Sequence, residues 1–148
     1  MNVVVDPGTF RAADADVLRR AVFATLEAEG AEGVELSLTL LGDEGIRELN
    51  REHLGRNRPT DVLAFALDDA TGLVGDVYLG FDQARRQAEQ HGAPLTEELV
   101  RLTIHGTLHV LGYDHPDGDD RYDSPMFGRQ ERILDGMRDR GVLDGADV

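Results

Sequence analysis

Residues 34–55 read VELSLTLLGDEGIRELNREHLG, and two hydrophobic periods meet inside them. Val34, Leu36, Leu38 and Leu40 alternate with Glu35, Ser37 and Thr39, the two-residue period of a half-buried strand. Beyond Gly42 the spacing changes. Asp43 opens a stretch in which Ile46, Leu49 and His53 recur at helical intervals, and Gly55 offers a left-handed stop. A strand running directly into an amphipathic helix predicts a mixed α/β chain.

Working outward, the short apolar run Asn2–Val5 reads as a strand. Asp14 caps a predicted helix to about Glu29, with Val17, Leu18, Ala21, Val22, Thr25 and Leu26 as its stripe and Gly30 as its stop. Val62–Leu67 and Leu73–Leu79 read as strands, with Asp68, Asp69 and Gly72 forming the turn. Phe81–His91 reads as a polar helix. A stronger helix follows Pro94, with Thr96 as N-cap and Glu97 and Glu98 in the first turn, and ends near Leu111 at Gly112. Ser124-Pro125 starts a last helix to about Arg140. No repeat or linker divides residues 1–148, so the expectation is one α/β (α+β) domain. It has one sheet of roughly four strands packed with about five helices.

The charge balance is strongly acidic: 15 Lys+Arg against 29 Asp+Glu, a net −14. All the basic residues are Arg. Such a surface argues against broad nucleic-acid binding, which needs a basic footprint. The chain has no Cys, which excludes disulfides, thiolate ligands and cysteine nucleophiles. No apolar run is long enough to span a membrane. MNVVVDPGTF lacks the basic and apolar regions of a secretion signal, so the expected compartment is the cytoplasm.

Three of the five His fall in HGTLHVLGYDH, residues 105–115. His105 and His109 are four apart on the predicted helix, so they stand one turn apart on one face, about 6 Å along the axis. Gly112 lets the chain reverse, and His115 can then return as a third ligand. A lone His is usually structural, but three at this spacing predict a catalytic zinc site with an open position. The spacing also matches the metzincin-like pattern H-E-x-x-H-x-x-G-x-x-H, except that Gly106 stands where the general-base Glu would be.

Taken together, these blocks resemble the YbeY family of bacterial endoribonucleases, the rRNA maturation factors. HGTLHVLGYDH is similar to the family's His-rich signature. RPTDVLAF at 58–65 resembles its P-T-D-V-L-S-F block, with Ala64 where Ser is common. Leu49-Asn50, GDVYL at 75–79, Met126 and Glu131 fall where the family has similar residues. The resemblance runs roughly from residue 36 to 135. It implies an α/β fold holding one Zn²⁺ on His105, His109 and His115. It also implies single-strand RNA cleavage in rRNA processing, chiefly at the 3′ end of 16S rRNA, and ribosome quality control on the small subunit. The family Arg five residues before the Pro of that block aligns here with Leu54.

The expected chemistry is attack by metal-activated water on a phosphodiester, because His-bound Zn²⁺ lowers the pKa of water toward about 7 and polarises a phosphoryl oxygen. Asp61, Asp76 and Asp114 are candidate proton acceptors by their place near these blocks, and Asp114 is also a candidate partner for a neighbouring His. Residues 47–58 hold four Arg against two Glu, and Arg51, Arg56 and Arg58 are the candidate RNA contacts. Asp114–Asp123 is an acidic loop that would repel RNA unless turned away. Phe65, Phe81 and Met126 read as core, and Tyr113 as packed. Arg85, Arg86, Arg129, Arg132, Arg138 and Arg140 read as ordinary surface. Two other functions fit the same residues: a metal-dependent hydrolase of peptides or small molecules, and a non-enzymatic, zinc-containing ribosome assembly factor.

Overall fold

The computed structural model describes residues 2–70, 72–113 and 124–143. The order is β1 (Asn2–Asp6), α1 (Ala15–Ala28), β2 (Val34–Leu41), α2 (Asp43–Leu54), β3 (Val62–Asp69), β4 (Gly72–Gly80), α3 (Phe81–His91), α4 (Leu95–Val110) and α5 (Pro125–Asp139). The four strands form one sheet in the order β1-β2-β4-β3. β1–β2 and β2–β4 are parallel, and β3–β4 is an antiparallel hairpin. The α/β class, the four strands and the five helices agree with the sequence patterns.

The alternation in β2 sets one face of the sheet. Leu36 pairs in register with Gly75, Leu38 with Val77 and Leu40 with Leu79. These apolar side chains are buried with Leu18 and Val22 of α1 and with Ile104 and Leu108 of α4. Asp14 caps α1 as its sequence predicts, accepting from the N–H groups of Asp16 and Val17.

α4 is the central helix. From Glu98 to Val110 every residue is buried except Arg101, His105 and His109, spaced four apart. A helix apolar on nearly all sides belongs in a core, and here one stripe alone opens outward. Thr103 and Thr107 are fully buried, and their hydroxyls donate to the carbonyls of Leu99 and Thr103, both at 2.8 Å. Two close approaches seat this helix. A Cβ on Gly106 would lie 2.5 Å from a Val77 methyl, and a Cβ on Gly75 would lie 2.5 Å from a Val110 methyl. Only glycine lets the two backbones come this near.

Some boundaries differ from the sequence expectation. The cap of α4 is Pro94, not Thr96, because the Glu98 N–H already donates to the Pro94 carbonyl and Thr96 lies inside the first turn. α2 does open at Asp43 as expected, with Gly42 as its N-cap, and the Asp43 N–H donates to Asp82 at 3.0 Å. Asp68 and Asp69 continue β3 rather than belonging to the turn. His53 faces outward, with its ring 4.8 Å from that of Phe65. Phe81 is core and stacks on Phe10 at 4.4 Å.

Candidate functional site

The open stripe of α4 forms the floor of a groove of about 1160 Å³. The groove also borders β3, the α2–β3 connection, α3 and the start of α5. It joins segments far apart in sequence because β3 is the edge strand beside α4.

His105 and His109 lie together on that floor, with ring centroids 4.8 Å apart and planes at 76°. The Nδ1 of His105 is 2.7 Å from Oε1 of Gln130. An amide oxygen only accepts, so Nδ1 carries the proton and Nε2 the lone pair. A ring held in this way is the form in which His ligates a metal. The donor set is imidazole nitrogen without thiolate, which fits a zinc ion. His115 and Asp114 lie outside the described residues, and so does the acidic loop. Among the described residues no group of three candidate ligands occurs.

The arginine candidates separate. Arg56 and Arg58 line the groove, and so does Arg101, which sequence reading had not singled out. Arg51 is exposed on α2 and is not among the lining residues. Arg47 pairs with Glu44 at 2.5 Å. Leu54, at the position of the family Arg, lines the groove and is 51% exposed. Phe65 is a half-buried wall of the groove rather than core, and Met126 is buried beneath it.

The carboxylates also separate. Asp61 lines the groove; its Oδ2 accepts from Gln87 at 3.2 Å and its Oδ1 from the Thr60 hydroxyl at 3.4 Å. The other groove carboxylates, Glu97, Glu98 and Glu131, are tied to guanidinium groups of Arg138 and Arg101. Asp76 does not share the groove. It is next to Val77, so strand alternation turns it to the opposite face, where the Ser37 hydroxyl donates to it at 2.6 Å.

Three arginines expected at the ordinary surface hold elements together instead. Arg86 makes a two-pronged contact with Asp43 at 2.9 and 3.0 Å, which holds the Asp43 carboxyl below the usual range. Arg138 bonds Glu97 and Asp135. Arg129 donates to Glu29 and, at 2.6 Å, to the Ala28 carbonyl, while the Tyr113 hydroxyl donates to Glu29 at 2.5 Å. One carboxylate therefore ties the end of α1 to Tyr113, three residues beyond α4, and to α5.

Burial works to raise the pKa of Glu29, but the bonds from Tyr113 and Arg129 outweigh it and hold the group below its ordinary 4.5. A carboxyl with a depressed folded-state pKa stabilises fully above the unfolded value and loses that contribution as pH falls through the folded one. Glu29→Gln is therefore expected to cost about 1 kcal/mol at neutral pH, a charged hydrogen bond trimmed by the partial exposure of Arg129. The gap from the parent closes as pH drops below 4.5. Urea unfolding of both proteins at neutral pH and at about pH 3 measures it.

Residues 9–138 match the sequence model of the family described as endoribonuclease YbeY. The endoribonuclease YbeY of Persephonella marina is 40% identical over 126 residues, covering 82% of each chain. That of Moorella thermoacetica is 42% identical over 133 residues, 81% of this chain and 84% of the relative. The solution structure of a Thermotoga maritima protein superposes with a TM-score of 0.67 at 25% identity, covering 100% of this chain and 96% of that one. With the matched region covering β2, β3 and β4, the groove, and His105 and His109 on its floor, the chain belongs to the endoribonuclease YbeY family.

Proposed function

We propose that this chain is a zinc-dependent, single-strand-specific endoribonuclease of the cytoplasm. Its role is rRNA processing, maturing the 3′ end of 16S rRNA on the small ribosomal subunit, and ribosome quality control. The observation that carries this reading is the open stripe of α4. His105 and His109 stand on the floor of a groove into which Arg56 and Arg58 also reach.

His105, His109 and His115 are the residues that would hold Zn²⁺. Bound there, the ion supplies Lewis acidity, lowering the pKa of water and polarising a phosphoryl oxygen. Arg56 and Arg58 present planar forks suited to phosphate oxygens and hold the strand along the groove. Arg51, outside the groove wall, acts as an outlying contact. Asp61 is the proton acceptor: among the described residues its carboxylate bonds to a neutral amide and a hydroxyl, not to a guanidinium. Asp114 serves as a second acceptor or as a partner for a ligand His.

Metal analysis of the purified protein, alongside cleavage of a defined small-subunit rRNA precursor, tests the proposal. One zinc per chain and specific cleavage are expected. Stoichiometric protein that neither holds zinc nor cuts RNA would overturn it. A non-enzymatic assembly role predicts instead that a ligand-dead variant still associates with small subunits and rescues growth.

The net charge of −14 makes the arginine contacts measurable. Each phosphate neutralised on single-stranded RNA contributes about 0.7 to the slope of log affinity against log salt. Arg56→Ala with Arg58→Ala should therefore reduce that slope by about 1.4. Reversing both to Glu should abolish binding in filter or fluorescence assays. An unchanged slope would remove these two residues from the RNA path.

A further inference from the structure

We propose that Gln130, Glu131 and Arg101 form a positioning relay that fixes His105 in the Nδ1–H tautomer and presents its Nε2 to the metal; the metal part rests on the zinc reading above. The relay leaves α4, crosses to α5 and returns to α4. Oε1 of Gln130 faces Nδ1 of His105 at 2.7 Å, and Nε2 of Gln130 donates to Oε2 of Glu131 at 3.0 Å. Glu131 in turn accepts two bonds from Arg101, at 3.0 and 3.2 Å. Arg101 also donates to Glu98 at 3.1 Å.

Every link has a direction set by the next. Turning the Gln130 amide over would place its oxygen against a carboxylate 3.0 Å away and its NH₂ against the imidazole. Glu131 forbids that turn, and Arg101 holds Glu131. Arg101 is itself anchored on Glu98, which is 2% exposed. Burial opposes the charge of Arg101, but its bonds to Glu131 and the nearby Glu98 outweigh this and keep its pKa above the ordinary value. The two carboxylates exceed the one guanidinium by a single negative charge, which favours a cation at the far end of the relay.

The location argues for a role beyond packing. Gln130 is 4% exposed at the α4–α5 contact, where a leucine would fill similar space without burying an amide. The arrangement is a lengthened form of the carboxylate–histidine–metal unit, with an amide between the carboxylate and the ring. Arg101 and His105 share the open stripe of α4, so the relay spans one helical turn.

The experiment uses the full chain. Imidazole ¹⁵N shifts of the metal-free protein, with His105→Ala for assignment, report the tautomer of His105. Competition with a chromophoric chelator gives the affinity for Zn²⁺ alone. The parent should show the Nδ1–H form. Gln130→Leu, checked for folding by near-UV circular dichroism, should shift the ring toward the Nε2–H form. Its zinc affinity should fall by about 10- to 100-fold. Gln130→Glu combined with Glu131→Gln, which keeps an acceptor facing Nδ1 and a donor facing residue 130's second oxygen, should retain the parental tautomer. Equal tautomers and equal zinc affinities in the parent and Gln130→Leu would overturn the relay. So would an Nε2–H ring in the parent, which needs no variant to fold. A parent with the Nδ1–H ring that binds no zinc would overturn the metal reading and the relay's metal role, leaving only the tautomer assignment.

Discussion

His109→Ala is expected to purify without zinc and to cleave the small-subunit rRNA precursor about 10³-fold more slowly than the parent. Metal Lewis acidity contributes several kcal/mol to such a displacement, and each 1.36 kcal/mol is a factor of ten. The loss should be chemical and not a collapse of the fold. His109 is half-buried on the open stripe of α4, and alanine is the best helix former. Added zinc should raise the melting temperature of the parent and leave that of the variant unchanged, because only a folded state with a complete site gains from binding. A variant that keeps both metal and cleavage would remove His109 from the centre.

Gly106→Glu rebuilds the general-base position of the metzincin pattern, and it is expected to prevent folding. The Cβ alone would stand 2.5 Å from one Val77 methyl and 3.2 Å from a Val62 methyl. Both partners are branched side chains on paired strands, with little freedom to retreat. The carboxylate would follow into an apolar contact, where an unpaired charge costs several kcal/mol more. The total exceeds about 4 kcal/mol, a large share of a typical domain's stability. Gly106→Ala separates the terms. Overpacking of about 1–3 kcal/mol is partly offset by about 1 kcal/mol of helix propensity. Denaturant melts of the two variants read this directly, and a Glu variant of parental stability would contradict the close approach of α4 to the sheet. The same contact weighs against a peptidase. The missing base is not an open position that another sequence change could fill.

Much of this was legible in the residues. The alternation of Val34–Leu41 gave β2 its bounds, and the His105–His109 spacing gave one face of α4. What a single chain could not reveal was which charges are structural. Gln130 is 25 residues from His105, and Glu131 is 30 from Arg101, so no local pattern joins them. Arg129 looked like one more surface cation until Glu29, 100 residues away, was placed beside it. Thr96 failed as a cap because propensity favoured it while the backbone had already turned at Pro94. Gly106 was legible as an absence of Glu, but its cause lies in Val77 and Val62, on other elements.

Among the described residues β3 is an edge strand, paired with β4 on one side, and its first half borders the groove. Exposed edges invite strands of other molecules, and proteins ordinarily guard them. Here any foreign strand that paired along Val62–Phe65 would have to lie in the space the groove holds open. The far half of β3 ends in Asp68 and Asp69, both exposed, and an approaching strand would meet their like charges. A strand added along Val62–Phe65 and a ligand lying in the groove would therefore compete for the same space.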